Sequence, residues 1–330
     1  MNTQTTIRLK SPVDLITSLP YQFGFHPKRS VVLVCLMGDH VGLVERLDIP
    51  PPEHALDAMH AMVEPMLKER PTSVVLLGYE DIEGESVPLL NTLRVAISNP
   101  HLHPSIELTD VLVVRDGRWY SRVCKDPTCC PTEGTPLAEN VAVTSEFVAL
   151  GHNPLSSRED VAARLEPTPE AVGPLQTDAA EMPEHHTMLL SVGADVWAKV
   201  MTTGKLTSLE VAYAAFALRD IGFRDAMVNH LWPGVLAAEQ ISQQIQDIFS
   251  VIPPITKEGA IDRLIDLCAA IKDSEAAPAL TVLANYAWFL GDGPTARMAL
   301  DRALRCDPKY GLALLLERMV DLAIRPEPAA

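Results

Sequence analysis

The sequence predicts an amino-terminal α+β or α/β domain with a mixed sheet, followed by an all-α helical domain with tetratricopeptide-like packing. Three observations carry this expectation. A chain of 330 residues is longer than one ordinary core fills, so two domains are the default. Up to about residue 150, continuous β-branched apolar runs alternate with helical periodicities, as in strands interleaved with helices. After Ser145 no run has strand character, and Pro167, Pro169 and Pro174 punctuate a shift to Ala/Leu/Glu helices. The domains are therefore placed at 1–150 and 151–330, with the boundary between Asn140 and Pro174.

Ser11–Leu19 reads as a short helix, with Ser11 as N-cap and Pro12 at the first helical position, where no intrahelical N–H is needed. Tyr21–Pro27 turns the chain. Ser30–Met37 is apolar and β-branched, hence a strand buried on both faces. Gly38–His40 closes a hairpin into a second strand, Val41–Ile49, and Pro50–Pro52 ends the pairing because proline has no N–H to donate. Glu53–Glu69 is a helix with Leu56, Met59, Val63 and Leu67 on one face. Thr72–Tyr79 is a strand, Val87–Ser98 a helix and Ile106–Arg115 a strand. Asp116-Gly117 is a tight turn into the returning strand Arg118–Val123. Hairpins require antiparallel pairs, so the sheet is mixed.

The second half predicts helices at Ser156–Leu165, Asp178–Thr203, Ser208–Leu218, Phe223–Leu231, Pro233–Phe249, Lys257–Lys272, Pro278–Leu290, Pro294–Cys306 and Tyr310–Ile324. Thr207 and Glu210 match a capping box. Residues 277–324 have repeat character. In the 34-residue register of a tetratricopeptide repeat, counted from Ala277, the small residues Ala284, Ala296 and Ala303 fall where two antiparallel helices approach, and Pro308 ends the second. The segment resembles one such repeat, with Tyr310–Ile324 as a capping helix.

Composition narrows the function. With 47% hydrophobic and 21% charged residues the chain is globular and not disordered. Its net charge of −16 opposes a phosphate backbone, which argues against a nucleic acid partner. It opposes an anionic membrane surface as well. Met1–Lys10 has no apolar core behind a basic start, and no apolar run approaches the roughly 20 residues of a membrane span, so a cytoplasmic location with reduced thiols is expected.

Four stretches together carry a family resemblance. They are Pro12–Leu15 with Leu19-Pro20 and Gly24–Pro27; Ser30–Val34 with Arg46–Asp48; Asp116–Ser121 with Cys124, Cys129–Pro131 and Glu133-Gly134; and the helical hairpin near the carboxyl terminus. The sequence resembles the domain-of-unknown-function family 4192, known from actinobacteria. The resemblance implies a bacterial cytosolic protein with an α/β half and a helical half, and no activity.

Three groups are candidate sites. Arg46 and Asp48 share one face of a strand, and Arg118 follows the turn at Asp116. If the sheet joins these four, an arginine pair could grip a carboxylate or phosphate; the structural alternative is a salt-bridge network locking the hairpins. Cys124, Cys129 and Cys130 are spaced by four residues and then none, unlike the paired spacing of zinc sites. Small residues packing a turn beneath Trp119 are the preferred reading, with zinc (its fourth ligand His101, His103 or His152) or a Cys124–Cys129 redox pair as alternatives. Tyr286, Trp288 and Phe289 crowd one helix, so at least one should reach the surface, where aromatics mark interfaces.

His26 lies in a loop before a strand, and His185-His186 point about 100° apart on a helix, so neither suggests a site. No phosphate loop, nucleophile elbow, zinc-protease or dinucleotide motif is present. The leading expectation is a non-enzymatic adaptor whose helical half binds a protein partner or a second copy of the chain, with no cofactor. The alternatives are a small-ligand binder or enzyme using the Arg/Asp cluster, and a structural subunit of a larger assembly, including a phage-borne one.

Overall fold

The computed structural model describes residues 7–99, 106–137, 142–150, 153–173, 183–233, 241–256 and 259–324. The chain divides into two compact units, Met1–Ser157 and Arg158–Ala330.

The first unit opens with α1, Pro12–Phe23. The Ser11 hydroxyl accepts the Asp14 N–H, and Gly24 ends the helix at φ 73°. The helix runs four residues past the expected stop and takes Pro20 into its interior, because Leu19, Pro20 and Phe23 are all buried. β1 (Ser30–Met37) and β2 (His40–Asp48) form the expected hairpin, with a register shift between Val34 and Leu36. A short 3-10 turn leads into α2 (Ala55–Glu69). β3 (Ser73–Tyr79), α3 (Val87–Ile97) and β4 (Glu107–Arg115) follow. Asp116 and Gly117 both adopt positive φ, the type I′ geometry that suits a two-residue hairpin, and deliver β5 (Arg118–Ser121). The two-residue β6 (Thr135–Pro136) and α4 (Ala142–Ala149) carried no periodicity long enough to be expected.

The sheet has six strands in the order β2-β1-β3-β4-β5-β6, mixed as expected. β3 and β4 are parallel and joined through α3; the other pairs are antiparallel. The central strands are apolar on both faces, so β1 and β3 are almost entirely buried.

The second unit is helical: α5 (Arg158–Leu165), α6 (Pro183–Thr202), α7 (Ser208–Ala217), α8 (Ile221–Leu231), α9 (Gln243–Phe249), α10 (Ala260–Ala269), α11 (Asp273–Phe289), α12 (Gly293–Cys306) and α13 (Gly311–Asp321). The capping box of Thr207 and Glu210 forms. α11 starts five residues before its expected position and carries Pro278 in its first turns. Ala284, Ala296 and Ala303 are fully buried in the α11/α12 hairpin. Arg302, also buried, donates to the carbonyls of Leu165, Cys268 and Ile271 and pairs with Asp273, satisfying chain ends that helices leave open. Parts of the helices expected at 178–203, 233–249 and 257–272 lie outside the described residues. No helix among the described residues is long and apolar enough to cross a membrane.

Candidate functional site

Residues paired across neighbouring strands project from the same face of a sheet. The register therefore sets Asp48 of β2, Ser30 of β1, Tyr79 of β3, Val114 of β4, Trp119 of β5 and Thr135 of β6 in one row on one face. Arg46 lies on the same face, two residues back along β2. The row crosses the carboxyl ends of the parallel strands β3 and β4, the end at which open α/β sheets bind their ligands.

Four polar atoms at this end are buried and have no hydrogen-bond partner among the described residues: Ser30 Oγ, Tyr79 OH, Trp119 Nε1 and Arg46 Nε. Ser30 is 0% exposed, Tyr79 7% and Trp119 7%. Burial pushes the Tyr79 phenol well above its usual range, so it stays protonated and can donate. The rest of the Arg46 guanidinium is engaged. Nη2 donates to Asp48 Oδ1 at 2.6 Å and to the Lys28 carbonyl at 3.3 Å, and the group lies 5.4 Å from the Phe25 ring centroid.

An unsatisfied buried polar group costs about 1–3 kcal/mol. Four on one face therefore call for partners that water or a ligand can supply.

The chain from Gly24 to Arg29 leads into β1, with the Phe25 ring beneath Arg46 and the Lys28 carbonyl accepting from it. It begins and ends in left-handed backbone, at Gly24 (φ 73°) and Arg29 (φ 39°). Leu155 pins it: the Leu155 N–H donates to the Gly24 carbonyl at 2.7 Å, and the His26 N–H donates to the Leu155 carbonyl at 3.0 Å. Burial, and then Lys28, lower the pKa of His26, which holds its ring neutral.

The opposite face at the same end is fully tied. Glu80 follows Tyr79 and turns toward α3, with its side chain 1% exposed. It accepts from the Gly84 and Ser86 amides, from the Ser86 hydroxyl at 2.5 Å and from Arg115 at 3.1 Å. Glu85 accepts from the Asp81 and Ile82 amides and pairs with Arg29 at 3.1 Å. A Cβ at Gly78 would lie 2.3 Å from Ser86 Oγ, so glycine is what lets α3 approach β3 here. Farther along this face, burial and the neighbouring Glu69 raise the Glu45 carboxyl to about 8.

The expected four-residue cluster does not form. Arg46 and Asp48 pair, but β1, β3 and β4 stand between them and β5, a separation of about 19 Å at ordinary strand spacing. Arg118 also projects from the other face, beside Arg115, and donates to the Gly134 carbonyl at 3.2 Å. Asp116 is an exposed turn residue 3.7 Å from Arg115. Ser30, Tyr79 and Trp119 were missed because they sit in separate strands and only the register brings them together.

The three clustered cysteines are gathered more tightly than their spacing suggested. The Sγ atoms of Cys124, Cys129 and Cys130 lie within 4.8 Å of one another, and those of Cys129 and Cys130 are 3.8 Å apart. They occupy the loop between β5 and β6, whose Gly134 lies against the Tyr120 ring. Burial, and then Cys124 and Cys129, push the Cys130 thiol up to about 12. His101, His103 and His152 lie outside the described residues.

The aromatic trio needs a correction. Tyr286 is 2% exposed and belongs to the core, so it offers no contact surface. Phe289 is half-buried and stacks on Trp232 at 5.4 Å. Trp288 is half-exposed and donates to the Ile324 carbonyl at 2.8 Å.

No curated protein and no solved structure matches the chain significantly. The family model of a domain of unknown function, DUF4192, matches residues 12–327, and the chain belongs to that family.

Proposed function

We propose that the amino-terminal unit binds a small organic molecule bearing a carboxylate or phosphate group where Arg46, Ser30 and Tyr79 adjoin on the neighbouring strands β2, β1 and β3. The observation that carries this is three unpartnered buried donors on one face of those strands: a hydroxyl, a phenol and the Arg46 Nε–H. A guanidinium can only donate, so the complementary ligand offers acceptors. Phe25 and Tyr79 supply the apolar surface that small-molecule sites favour. The row holds no nucleophile paired with a base, so this is a binding site rather than a catalytic one.

A thermal-shift series with acetate, succinate, citrate, inorganic phosphate and sugar phosphates tests the reading. At least one of these compounds should raise the melting temperature of the parent and not of Tyr79→Phe. Equal responses from both proteins, or none from either, would reject it.

A second reading is interaction through the helical unit, in keeping with a tetratricopeptide-like hairpin. It is supported by Leu290, Leu314, Leu315 and Ile324, large apolar residues exposed on and around α11 and α13. A second copy of the chain would cover them. A mass measured by light scattering that is twice the chain's, halved by Leu315→Glu, would favour it. Cytoplasmic residence accords with either reading, because no disulfide forms among the described cysteines and Cys129 is exposed.

A further inference from the structure

We propose that Cys124, Cys129 and Cys130 bind one zinc ion through their three thiolates. The carrying observation is geometric. In tetrahedral coordination with zinc–sulfur bonds of about 2.3 Å, neighbouring sulfurs lie about 3.8 Å apart. Cys129 and Cys130 already stand 3.8 Å apart, and Cys124 completes a triangle with every edge within 4.8 Å. Bringing the longest edge from 4.8 Å to that spacing is a contraction of about 1 Å. Among the described residues no fourth cysteine, histidine or carboxylate joins the group.

The backbone holds the ligands in place without an ion. The Cys129 and Cys130 amides both donate to the Asp126 carbonyl, at 3.2 and 2.7 Å, which folds the turn that brings the two thiols round. The Asp126 carboxylate in turn accepts from the Thr128 amide at 2.9 Å and from its hydroxyl at 2.7 Å. The Cys124 amide donates to Ser121 Oγ at 2.9 Å, and that hydroxyl donates to Asp110 Oδ1 at 2.7 Å. Both limbs of the loop are thus anchored to the sheet or to their own turn.

The ligand set also selects the ion. Three thiolates suit zinc or another thiophilic ion, and not magnesium or calcium, which require oxygen ligands. Zinc is bound by thiolates, so the ion displaces the thiol protons as it binds. Three thiolates on zinc leave one net negative charge, with Lys125 next to Cys124 and Arg122 two residues before it to offset that charge. Zinc here would clip the β5–β6 loop and so brace the strand edge that carries Trp119.

The test is metal analysis of the full chain purified under reducing conditions without chelator, beside Cys129→Ser, Cys130→Ser and the control Cys306→Ser. About one zinc per chain is expected in the parent and in Cys306→Ser, and none in the other two. Because either serine variant could simply fail to fold, the parent is also stripped with chelator and refilled with cobalt(II). Visible tetrahedral bands and near-ultraviolet sulfur charge transfer should appear, and added zinc should abolish them. A reduced parent that takes up neither zinc nor cobalt overturns the proposal. Copper or iron in place of zinc overturns it equally, and so does zinc retained by folded Cys129→Ser and Cys130→Ser.

Discussion

Two faces of one sheet end can be compared directly, because β3 contributes to both within two residues. Glu80 turns toward α3 and finds four hydrogen bonds; Tyr79, its predecessor, turns the other way and its hydroxyl finds no partner among the described residues. Both side chains are buried to a similar degree. A buried polar group that is satisfied from within the chain is accounted for by the fold alone, whereas a row of unsatisfied ones requires something from outside it. The difference separates a structural network from a candidate site in a place where composition, burial and strand position are nearly the same.

Substitutions at the two residues should therefore have opposite signatures. Glu80→Ala removes the acceptor of Ser86 and the partner of the largely buried Arg115. It should lower the unfolding free energy by about 3–5 kcal/mol, the range for breaking a buried charge pair from one side. Denaturant titration reads this, and a loss below about 1 kcal/mol would mean that the face is not tied as described.

A control away from the sheet follows in size. Ala303 is fully buried in the α11/α12 hairpin, so Ala303→Leu should overpack it at a cost of about 1–3 kcal/mol. It should leave any ligand response of the amino-terminal unit unchanged. A melting temperature equal to the parent's would show that the seam is not close-packed.

Glu45 sharpens the comparison through pH. Its carboxyl titrates near 8 in the folded chain against an ordinary 4.5. Between these values the unfolded chain has released a proton that the folded chain keeps. Stability from this group is thus full below about pH 4.5 and falls until about pH 8. Denaturant curves across that window should show the parent losing stability relative to Glu45→Gln. Parallel curves would place the carboxylate in water.

The smallest effect is expected at Tyr79. Removing a hydroxyl that bonds to nothing relieves a desolvation penalty, so Tyr79→Phe should match or exceed the parent by up to about 1 kcal/mol without ligand. A loss above about 1 kcal/mol would reveal a hidden partner and merge the two faces into one structural class.

Much of this was legible before the structure. The β1–β2 and β4–β5 hairpins follow from Gly38 and Asp116-Gly117, which supply the backbone those turns need, and the caps of Ser11 and Thr207 form as read. Strand order was not legible. β3 pairs with β1 rather than with its nearer neighbour β2, which leaves Arg46 near one edge and Arg118 near the other. Nothing in the spacing of residues 30, 79 and 119 announces a row, since register is set by pairing between distant segments. The cysteine spacing did not announce how close the three sulfurs lie, because the Asp126 turn and not the count along the chain sets those distances. Tyr286 misled because the middle of α11, from Ala276 to Ala287, is buried nearly all round, and the helix nears solvent only toward its two ends.

On this reading an acceptor-bearing small molecule completes the unpartnered donors of the amino-terminal unit. Native mass spectrometry of the full chain, purified from its own host without dialysis, tests it most directly when run beside the double variant Tyr79→Phe/Arg46→Gln. The parent is predicted to carry a discrete adduct in the mass range of a small metabolite, released on denaturation, that the double variant lacks. Identical spectra for the two folded proteins, with an adduct on both or on neither, would contradict the claim.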